Sequence, residues 1–425
     1  MNHEQIAVIG GGPAGLAAAL AASEAGADEI VLIERDRELG GILNQCVHDG
    51  FGNLIFGCSL TGPEYAHRFV DQLPQHPPIK VLTDTMVLQL KQDRRLKAVN
   101  REGAFEMKPG AVILAMGCRE RSRFQVMIPG YRPAGVYTAG AVQRLINMEG
   151  LMPGERVVIL GSGDIGLIMA RRLTLEGAKV LGVFEILPRP GGLTRNVVQC
   201  LHDFEIPLYL SHTVTFIHGK KRLQGVSVAP VDHLGKPLQE QERFIPCDTL
   251  ILSVGLIPEN ELSRSAGVII DPSTGGPRVD QDMATSVEGI FAGGNVVLVY
   301  DLVDEVTRAA RIAGRAAAHY VSGVKRTAGR LILQPGENVA ALVPQQLSLP
   351  LKAGEKINLY LRVSSEIRDA VVTLLRQGKV IFRKKLRIVR PPEMVHLQIE
   401  SSLFEDLHDG EEITCRVTAQ EVNQN

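Results

Sequence analysis

Two glycine-rich segments, each followed by an acidic residue at the same distance, are the strongest candidates for chemistry in this chain. Gly10-Gly11-Gly12-Pro13-Ala14-Gly15 and Gly161-Ser162-Gly163-Asp164-Ile165-Gly166 both fit the pattern GxGxxG. Glu34 and Glu185 each lie 19 residues beyond the last glycine of their segment. Such a turn lets the backbone approach a pyrophosphate at a helix N-terminus, and the acid can accept a hydrogen bond from a ribose hydroxyl. Both segments therefore predict dinucleotide binding.

The elements around both segments follow the same order of strand, turn, helix and strand. Each segment comes directly after a short apolar run and opens a helix-forming stretch, and each acid ends the next apolar run. The predicted strands are 6–9, 30–33, 156–160 and 180–184, and the predicted helices are 16–25 and 167–176. This order predicts two βαβ units with parallel strands, and therefore a duplicated nucleotide-binding architecture.

The chain after about residue 330 has a different pattern, in which apolar and polar residues alternate. The alternating runs are 356–363, 395–399 and 413–417, and a hairpin turn is predicted at 376–379 between 370–375 and 380–389. Strands at regular spacing predict a small β-sandwich or barrel that begins near 323–336.

Composition and charge exclude several classes of protein. Apolar residues make up 45% and charged residues 22%, with 46 basic against 47 acidic residues and a net charge of −1. This balance is typical of a globular protein, and the net charge does not indicate binding to nucleic acid or to an anionic membrane. No apolar run is long enough for a membrane span, and the N-terminus lacks the basic region of a secretory signal. The six cysteines lie at least 12 positions apart without metal-ligand spacing, so we expect no metal site and a cytoplasmic location.

Several charged residues outside the two motifs have both a functional and a purely structural interpretation. Arg119 and Arg121 fit either a phosphate or partner contact or plain solvated arginines. Asp301 and Asp304 lie at the start of a predicted helix and are expected to be capping and dipole residues. The cations Arg383, Lys384, Lys385 and Arg387 could dock an acidic partner, but a charged edge strand that resists aggregation is the favoured interpretation.

Three further segments carry a resemblance to a known family. Residues 111–117 and 250–255 are apolar runs that end in glycine, and residues 285–295 end in Gly293-Gly294-Asn295. Together with the two GxGxxG segments, in this order, they resemble the two-dinucleotide flavoproteins that include the pyridine nucleotide–disulfide oxidoreductases. The resemblance covers about residues 5–322. It implies that the first fingerprint binds FAD, that the second binds NAD(P)H, and that the third segment returns the chain to the FAD domain.

The resemblance also implies a fold, domain bounds and site residues. The fold is α/β, with two Rossmann-like doubly wound domains and a C-terminal all-β domain. An NAD-binding domain of residues 126–275 is inserted in an FAD-binding domain of residues 1–125 and 276–328, and the β-domain spans 329–425. The expected FAD contacts are Gly10, Gly12, Pro13, Ala14, Gly15, Glu34, Gly41, Gly117, Gly294 and Asn295. The expected NAD(H) contacts are Gly161, Gly163, Asp164, Ile165, Gly166, Glu185 and Gly255.

Two positions bear on how these cofactors are held. Asn295 stands where the family usually has an aspartate that bonds the ribityl chain, and an amide can still accept or donate there. A carboxylate at Glu185 favours a free 2′-hydroxyl over a 2′-phosphate, and therefore NAD(H) over NADP(H). Arg189 lies close enough in sequence to leave this selectivity open.

The cysteines mark a departure from family members that reduce disulfides. Those members carry a cysteine pair shortly after the second strand, whereas residues 40–52 contain only Cys46. A dithiol relay needs two thiols within reach. Cys58 and Cys118 could approach Cys46, but nothing in their spacing indicates it, so the sequence predicts no redox disulfide. Cys46 and His48 are the catalytic candidates, because they could line the flavin and tune it or relay a proton. The equally weighted alternative is a small buried thiol and an ordinary loop histidine.

Shorter segments resemble a narrower group, the FAD/NAD-binding flavoproteins that accompany anaerobic-type glycerol-3-phosphate dehydrogenases. These segments are 40–52, 60–65, 117–121, 128–135 and 161–167. The resemblance implies two partners, a small cysteine-rich iron–sulfur protein and a substrate-oxidising flavoprotein subunit, and it leaves self-association open. We therefore predict hydride transfer between nicotinamide and FAD in the electron-transfer subunit of a small-metabolite dehydrogenase. The alternatives are a stand-alone NADH oxidase that uses O2 and a non-catalytic scaffold that contains FAD.

Overall fold

A computed structural model describes residues 5–324 and 329–420 of the chain. The chain forms two compact units, one with the described residues up to Cys118 and from Pro258 onward, the other with Arg119–Ile257. Two short strands, Cys118–Glu120 and Leu256–Pro258, lie where the chain passes from one unit to the other. The predicted bounds at 126 and 275 stay a prediction, and the predicted bound at 328 lies outside the described residues.

The first unit is built on a parallel five-stranded sheet. Its strands, in spatial order, are Ile290–Ala292, Ala111–Leu114, Ile6–Ile9, Ile30–Ile33 and Ile79–Leu82. Its helices are Pro13–Glu24, Gly62–Val70, Glu261–Ser265 and Val303–Val321, and a smaller antiparallel sheet contains Met86–Leu90, Leu96–Asn100 and Gly103–Met107. The first two strands of the sequence are buried at every residue. That is the pattern expected of a parallel sheet covered on both faces.

The second unit repeats this plan. Its parallel sheet has the order Leu208–Leu210, Lys179–Glu185, Arg156–Leu160, Thr249–Leu252 and Val136–Thr138. Its helices are Ala139–Asn147, Asp164–Leu175 and Thr194–Cys200, and its antiparallel strands are His212–His218, Gly225–Pro230 and Arg243–Ile245. The predicted pair of doubly wound α/β domains, with the second inserted in the first, is therefore confirmed.

The C-terminal part is all β, as predicted. One sheet has the order Gln346–Leu349, Gly329–Pro335, Glu412–Ala419, Ile367–Arg376 and Lys379–Val389. The other contains Val339–Val343, Lys356–Val363 and Val395–Glu400. The predicted hairpin turn is confirmed, since Gln377 and Gly378 both have positive φ, at 48° and 80°, between two antiparallel strands. The cationic strand Lys379–Val389 lies at the edge of its sheet, the place that the edge-strand interpretation requires.

Within the first unit, the β-domain contacts the rest of the unit at the start of the long helix Val303–Val321. The Tyr360 hydroxyl donates to Glu305 Oε2 at 2.8 Å, and Arg362 forms a salt bridge with Asp301. The Met394 amide also donates to Asp301, at 2.6 Å. The expectation that Asp301 caps the helix is therefore wrong: its carboxylate holds the β-domain instead.

A second junction centres on the buried carboxyl group of Asp280. Its Oδ2 accepts from the Ser348 hydroxyl at 2.6 Å, and its Oδ1 accepts from the amides of Asp282 and Ala284, each at 2.9 Å. Burial raises the pKa of the Asp280 carboxyl to about 6, and the nearby Asp282 charge adds to the shift. The neutral acid is thus favoured in the folded protein only below about pH 6.

This pKa predicts a pH dependence of stability that Asp280→Asn removes. A raised folded-state pKa gives stability that is complete below the ordinary value of 3.8 and is lost as the pH rises through about 6. We expect the unfolding free energy of the native chain, relative to D280N, to fall by about 3 kcal/mol across this window. Urea unfolding of both proteins at several pH values measures the difference. A constant difference from pH 4 to pH 7 contradicts the prediction.

Candidate dinucleotide sites

The first GxGxxG turn can be built only from glycine at two of its positions. Gly10 has φ +107°, and a Cβ there would lie 2.4 Å from the Ala115 carbonyl oxygen. A Cβ on Gly15 would lie 1.7 Å from the Gly10 carbonyl oxygen. Because neither residue has a Cβ, the helix Pro13–Glu24 can pack tightly against the end of the strand Ile6–Ile9. The backbone of the turn is therefore fixed by packing before any ligand arrives.

The start of this helix has the features of an anion site. Gly12 is the N-cap residue, no side chain caps the helix, and no acidic residue lies in its first turn. A helix N-terminus without a capping acceptor leaves N–H donors and positive dipole for a phosphate group. A Cβ on Gly41 would lie 2.9 Å from the Gly12 Cα, so the segment Gly41–Gln45 passes directly beside the turn. The residues present fit the pyrophosphate of FAD.

Glu34 is held in place by the turn itself. Its Oε2 accepts from the Gly11 amide at 2.6 Å, and its Oε1 accepts from the Asp36 amide at 2.8 Å. The residue is only 7% exposed. The carboxylate is therefore fixed at the end of the second strand, where a ribose hydroxyl is expected.

The second turn has the same geometry, with one addition. Glu185 Oε2 accepts from the Ser162 amide at 2.8 Å, and its Oε1 accepts from the Leu187 amide at 2.9 Å. Ser162 also donates its hydroxyl to Glu185 Oε2 at 2.6 Å. The two acids thus bind equivalent backbone groups in two separate units, which is a strong sign of a shared task.

Ser253 closes the second turn from the neighbouring strand. Its hydroxyl accepts from the Gly166 amide at 3.1 Å, and a Cβ on Gly161 would lie 2.1 Å from its carbonyl oxygen. Gly255, two residues on, has φ +104° and follows the strand Thr249–Leu252. Sequence reasoning missed Ser253, because its only signal was its place at the end of an apolar run.

The carboxylate of Asp164 binds another part of its own unit. Its Oδ1 accepts from the Leu193 amide at 2.9 Å and from Asn196 Nδ2 at 2.6 Å. These bonds tie the start of the helix Thr194–Cys200 to the turn. The other two expected contacts nearby, Gly163 and Ile165, are the N-cap and a first-turn residue of the helix Asp164–Leu175. The second helix N-terminus is thus placed at the turn in the same way as the first.

The third glycine segment meets the first turn in space. Gly294 has φ +77°, and a Cβ there would lie 2.8 Å from the Ala14 Cβ. Asn295 Nδ2 donates to the Cys118 sulfur at 3.7 Å, and its Oδ1 accepts from the Tyr300 amide at 3.0 Å. Cys118 directly follows Gly117, at φ +70°. The structure therefore brings together the expected FAD residues from three distant segments.

The loop with Cys46 and His48 is held by an acid that the sequence did not single out for this task. Asp304 Oδ1 accepts from the Ile55 amide at 2.9 Å, and its Oδ2 accepts from the Gly52 amide at 3.2 Å. The Cys46 thiol donates to the Ile42 carbonyl at 3.3 Å, and both Cys46 and His48 are half-buried. Asp304 lies in the first turn of the helix Val303–Val321, as expected of a dipole residue, but its carboxylate binds this loop and does not cap the helix. The catalytic roles of Cys46 and His48 stay predictions.

Three of the six cysteines are buried: Cys200, Cys247 and Cys415. Burial raises the pKa of Cys247 and of Cys415 to about 12, and it raises the pKa of Cys200 as well. A thiol with a raised pKa stays protonated and unreactive at neutral pH. These three cysteines are therefore packing residues.

In the described part of the chain, no helix is both long enough and apolar enough to cross a membrane.

Comparison with known proteins identifies a family whose model matches this chain. A family model described as pyridine nucleotide-disulphide oxidoreductase matches residues 4–317. A subunit of opine oxidase from Agrobacterium tumefaciens is 28% identical, over 73% of this chain and 64% of that protein. The HcnB subunit of hydrogen cyanide synthase from Pseudomonas protegens is 30% identical, over 61% and 58%. An NADH oxidase of Methanocaldococcus jannaschii is 27% identical, over 70% and 64%. The chain thus spans about three fifths of the length of these curated relatives.

Solved structures share the fold. Thioredoxin reductase of T. acidophilum superposes with a TM-score of 0.60 at 23% identity, over 74% of this chain and 97% of that one. A NAD-dependent persulfide reductase from A. fulgidus gives a TM-score of 0.58 at 20% identity, over 98% and 74%. At these identities the likeness concerns the fold alone, and in the second case it extends through the C-terminal domain.

Proposed function

Because the chain belongs to the pyridine nucleotide-disulphide oxidoreductase family, we propose that it transfers hydride between NAD(H) and FAD without a redox disulfide of its own. Its cofactors are FAD and a nicotinamide dinucleotide. The observation that carries the proposal is the repeated geometry of Glu34 and Glu185, each bonded to the second residue of a GxGxxG turn. One such site would fit a simple nucleotide-binding protein, whereas two fit a transfer between two dinucleotides.

The protein's own part in this reaction is binding and orientation. The uncapped start of the helix Pro13–Glu24 binds the pyrophosphate, and Glu34 orients the ribose. The turn after Arg156–Leu160 does the same for the second nucleotide, with Glu185 and Ser253 holding its shape. When bound, FAD supplies the hydride chemistry that no side chain offers.

The cysteine pattern supports a reaction without a dithiol relay. Cys46 is the one cysteine of residues 40–52, and its thiol donates to the Ile42 carbonyl oxygen. Electrons on the flavin must therefore leave to another acceptor. The wide spacing of the six cysteines also fits a reducing, cytoplasmic compartment.

We infer that the acceptor or donor is a partner subunit. Two relatives are themselves named as subunits, of opine oxidase and of hydrogen cyanide synthase. By the resemblance of the shorter motifs, this partner oxidises glycerol 3-phosphate or a similar small compound, and a small iron–sulfur protein links the two. The second candidate is a stand-alone NADH oxidase, which the relative of that name favours.

An anaerobic titration tests the proposal directly. We expect NADH to bleach the flavin absorption of the purified yellow protein at lower concentration than NADPH, since a carboxylate at Glu185 repels a 2′-phosphate. Admitting air then separates the two candidates: continued NADH consumption indicates an oxidase, and a slow return of colour without turnover indicates a subunit that needs its partner. Bound FAD that neither nucleotide bleaches contradicts hydride transfer and leaves a structural flavin.

A further inference from the structure

One surface of the second unit exposes three large apolar side chains close together in sequence. Phe124 is 57% exposed, Met127 is 83% exposed and Tyr131 is 47% exposed. Single exposed apolar residues are common on protein surfaces, but clustered ones mark interaction sites. Phe, Tyr and Met are also among the residue types enriched in protein–protein interfaces.

Cations surround these side chains. The Arg132 guanidinium lies 4.7 Å from the centre of the Phe124 ring, and the Lys220 ammonium lies 5.8 Å from that of Tyr131. Lys221 is exposed beside them, and Tyr131, Lys220 and Lys221 line one depression of about 570 Å³. We call Phe124, Met127, Tyr131, Arg132, Lys220 and Lys221 the basic–aromatic patch.

The patch has no acidic counterpart in its own segments. Residues 121–132 and 217–224 contain six Lys or Arg residues and no Asp or Glu. Among the described residues, Arg132, Lys220 and Lys221 form no ion pair within 4.0 Å, although other arginines of the chain do, such as Arg172 with Glu176 at 2.7 Å. Burial and the neighbouring Arg132 charge both lower the pKa of Arg123. Arg132, Lys220 and Lys221 are therefore available to pair with carboxylates of a partner.

The backbone under the patch is firmly held. The Arg123 guanidinium donates to the carbonyls of Ile128 at 3.0 Å, of Gly130 at 3.3 Å, and of Tyr131. Ile217 exchanges two backbone bonds with this loop, accepting from the Tyr131 amide at 3.1 Å and donating to the Pro129 carbonyl at 3.0 Å. A surface that is ordered before binding loses less entropy when a partner docks.

We propose that the basic–aromatic patch is the docking surface for an acidic protein partner whose contact face mixes carboxylates with apolar side chains. The proposal rests on the proposed function, since the partner it fits is the subunit that exchanges electrons with this chain. Because the patch is positively charged, it favours a partner with a negatively charged surface, and the exposed rings supply the apolar centre of the interface. A nucleic acid fits less well, because the chain has a net charge of −1 and the cations here are few.

A labelled peptide of alternating glutamate and leucine serves as the probe, with a glutamine–leucine peptide and oligo-dT as comparisons. Fluorescence anisotropy on the full holoprotein is expected to show binding of the acidic peptide that weakens with salt. The double variant K220E/K221E is expected to weaken binding of the acidic peptide by about tenfold or more, and F124A/Y131A is expected to weaken it by about tenfold. R383E/K385E is the matched control, since it reverses two exposed cations on the edge strand Lys379–Val389 and is expected to change the affinity less than twofold.

Each other outcome overturns the docking proposal. Equal weakening by R383E/K385E means unselective attraction, and equal binding of the glutamine peptide means a purely apolar contact. Tighter patch-dependent binding of oligo-dT points to nucleic acid, and a change in sedimentation of K220E/K221E points to a second copy of this chain. Flavin bleaching by NADH in K220E/K221E is expected to match the native protein. If bleaching is normal and peptide binding fails, only the docking proposal falls; if bleaching fails in the native protein, the proposed function falls.

Discussion

Replacing Gly166 with alanine is expected to slow flavin bleaching by NADH about 100-fold or more while FAD stays bound. A Cβ at this position would lie 2.5 Å from the Ser253 Cβ and 2.7 Å from its hydroxyl oxygen. The helix Asp164–Leu175 must then move off the sheet, and the Gly166 amide loses its bond to Ser253. Anaerobic stopped-flow absorbance measures the rate, and the flavin spectrum after gel filtration measures retention.

The structure also predicts a rescue, because the obstructing atoms belong to one side chain. Ser253→Gly in the G166A background removes them and is expected to recover part of the rate. Recovery stays partial, since the Gly161 carbonyl oxygen remains 3.3 Å from the new Cβ. S253G alone is the control for the lost hydroxyl. Bleaching by G166A at the native rate contradicts the prediction, and loss of FAD from G166A would reverse the assignment of the two sites.

Replacing Glu185 with glutamine is expected to weaken NADH binding by about tenfold or more and to reduce the preference for NADH over NADPH. Glutamate accepts from Ser162 and Leu187 through two oxygens, whereas glutamine offers one oxygen and turns an N–H group toward a donor. The variant also loses the charge that repels a 2′-phosphate. Dissociation constants for both nucleotides, from the same anaerobic titration, give both effects.

Glu34→Gln is the matched control for this variant, because Glu34 makes the equivalent bonds in the first unit. It is expected to weaken FAD binding and to leave the ratio of NADH to NADPH affinities unchanged. If E34Q alters that ratio and E185Q does not, the first turn holds the nicotinamide dinucleotide. If neither variant alters it, selectivity lies elsewhere, and Arg189 becomes the next position to test.

The local parts of both sites were predictable because their signals are local. Gly10 and Gly161 need a positive φ at the end of a strand, Gly15 and Gly166 need a residue without a Cβ, and these demands select glycine at a fixed spacing. Glu34 and Glu185 were likewise predictable, since the length of one helix and one strand sets their distance from the turn. The duplicated α/β plan follows from the same two motifs.

The partners that hold these motifs were not predictable, because they are remote in sequence. Asp304 binds Gly52 across 252 positions, and Asn295 reaches Cys118 across 177. The alternation after residue 330 predicted strands, but nothing in it indicated that Tyr360 and Arg362 would fasten the β-domain to Glu305 and Asp301. A carboxylate at the start of a helix can cap that helix or bond to a distant segment. Capping is the commoner role, so the local pattern favoured it for Asp301 and Asp304.

Two features follow directly from the residue types along the chain, namely the positions of the two GxGxxG turns and the types of side chain around them. Backbone conformation and strand–helix order depend on neighbours within a few residues, and residue types record those demands directly. The tertiary structure alone shows that Asp304 supports the loop with Cys46 and His48 and that Ser253 closes the second turn. It also shows that the loop with Phe124 meets the turn with Lys220 in one basic surface. Those contacts depend on which distant segments pack together, and a single chain of residue types carries no local signal for them.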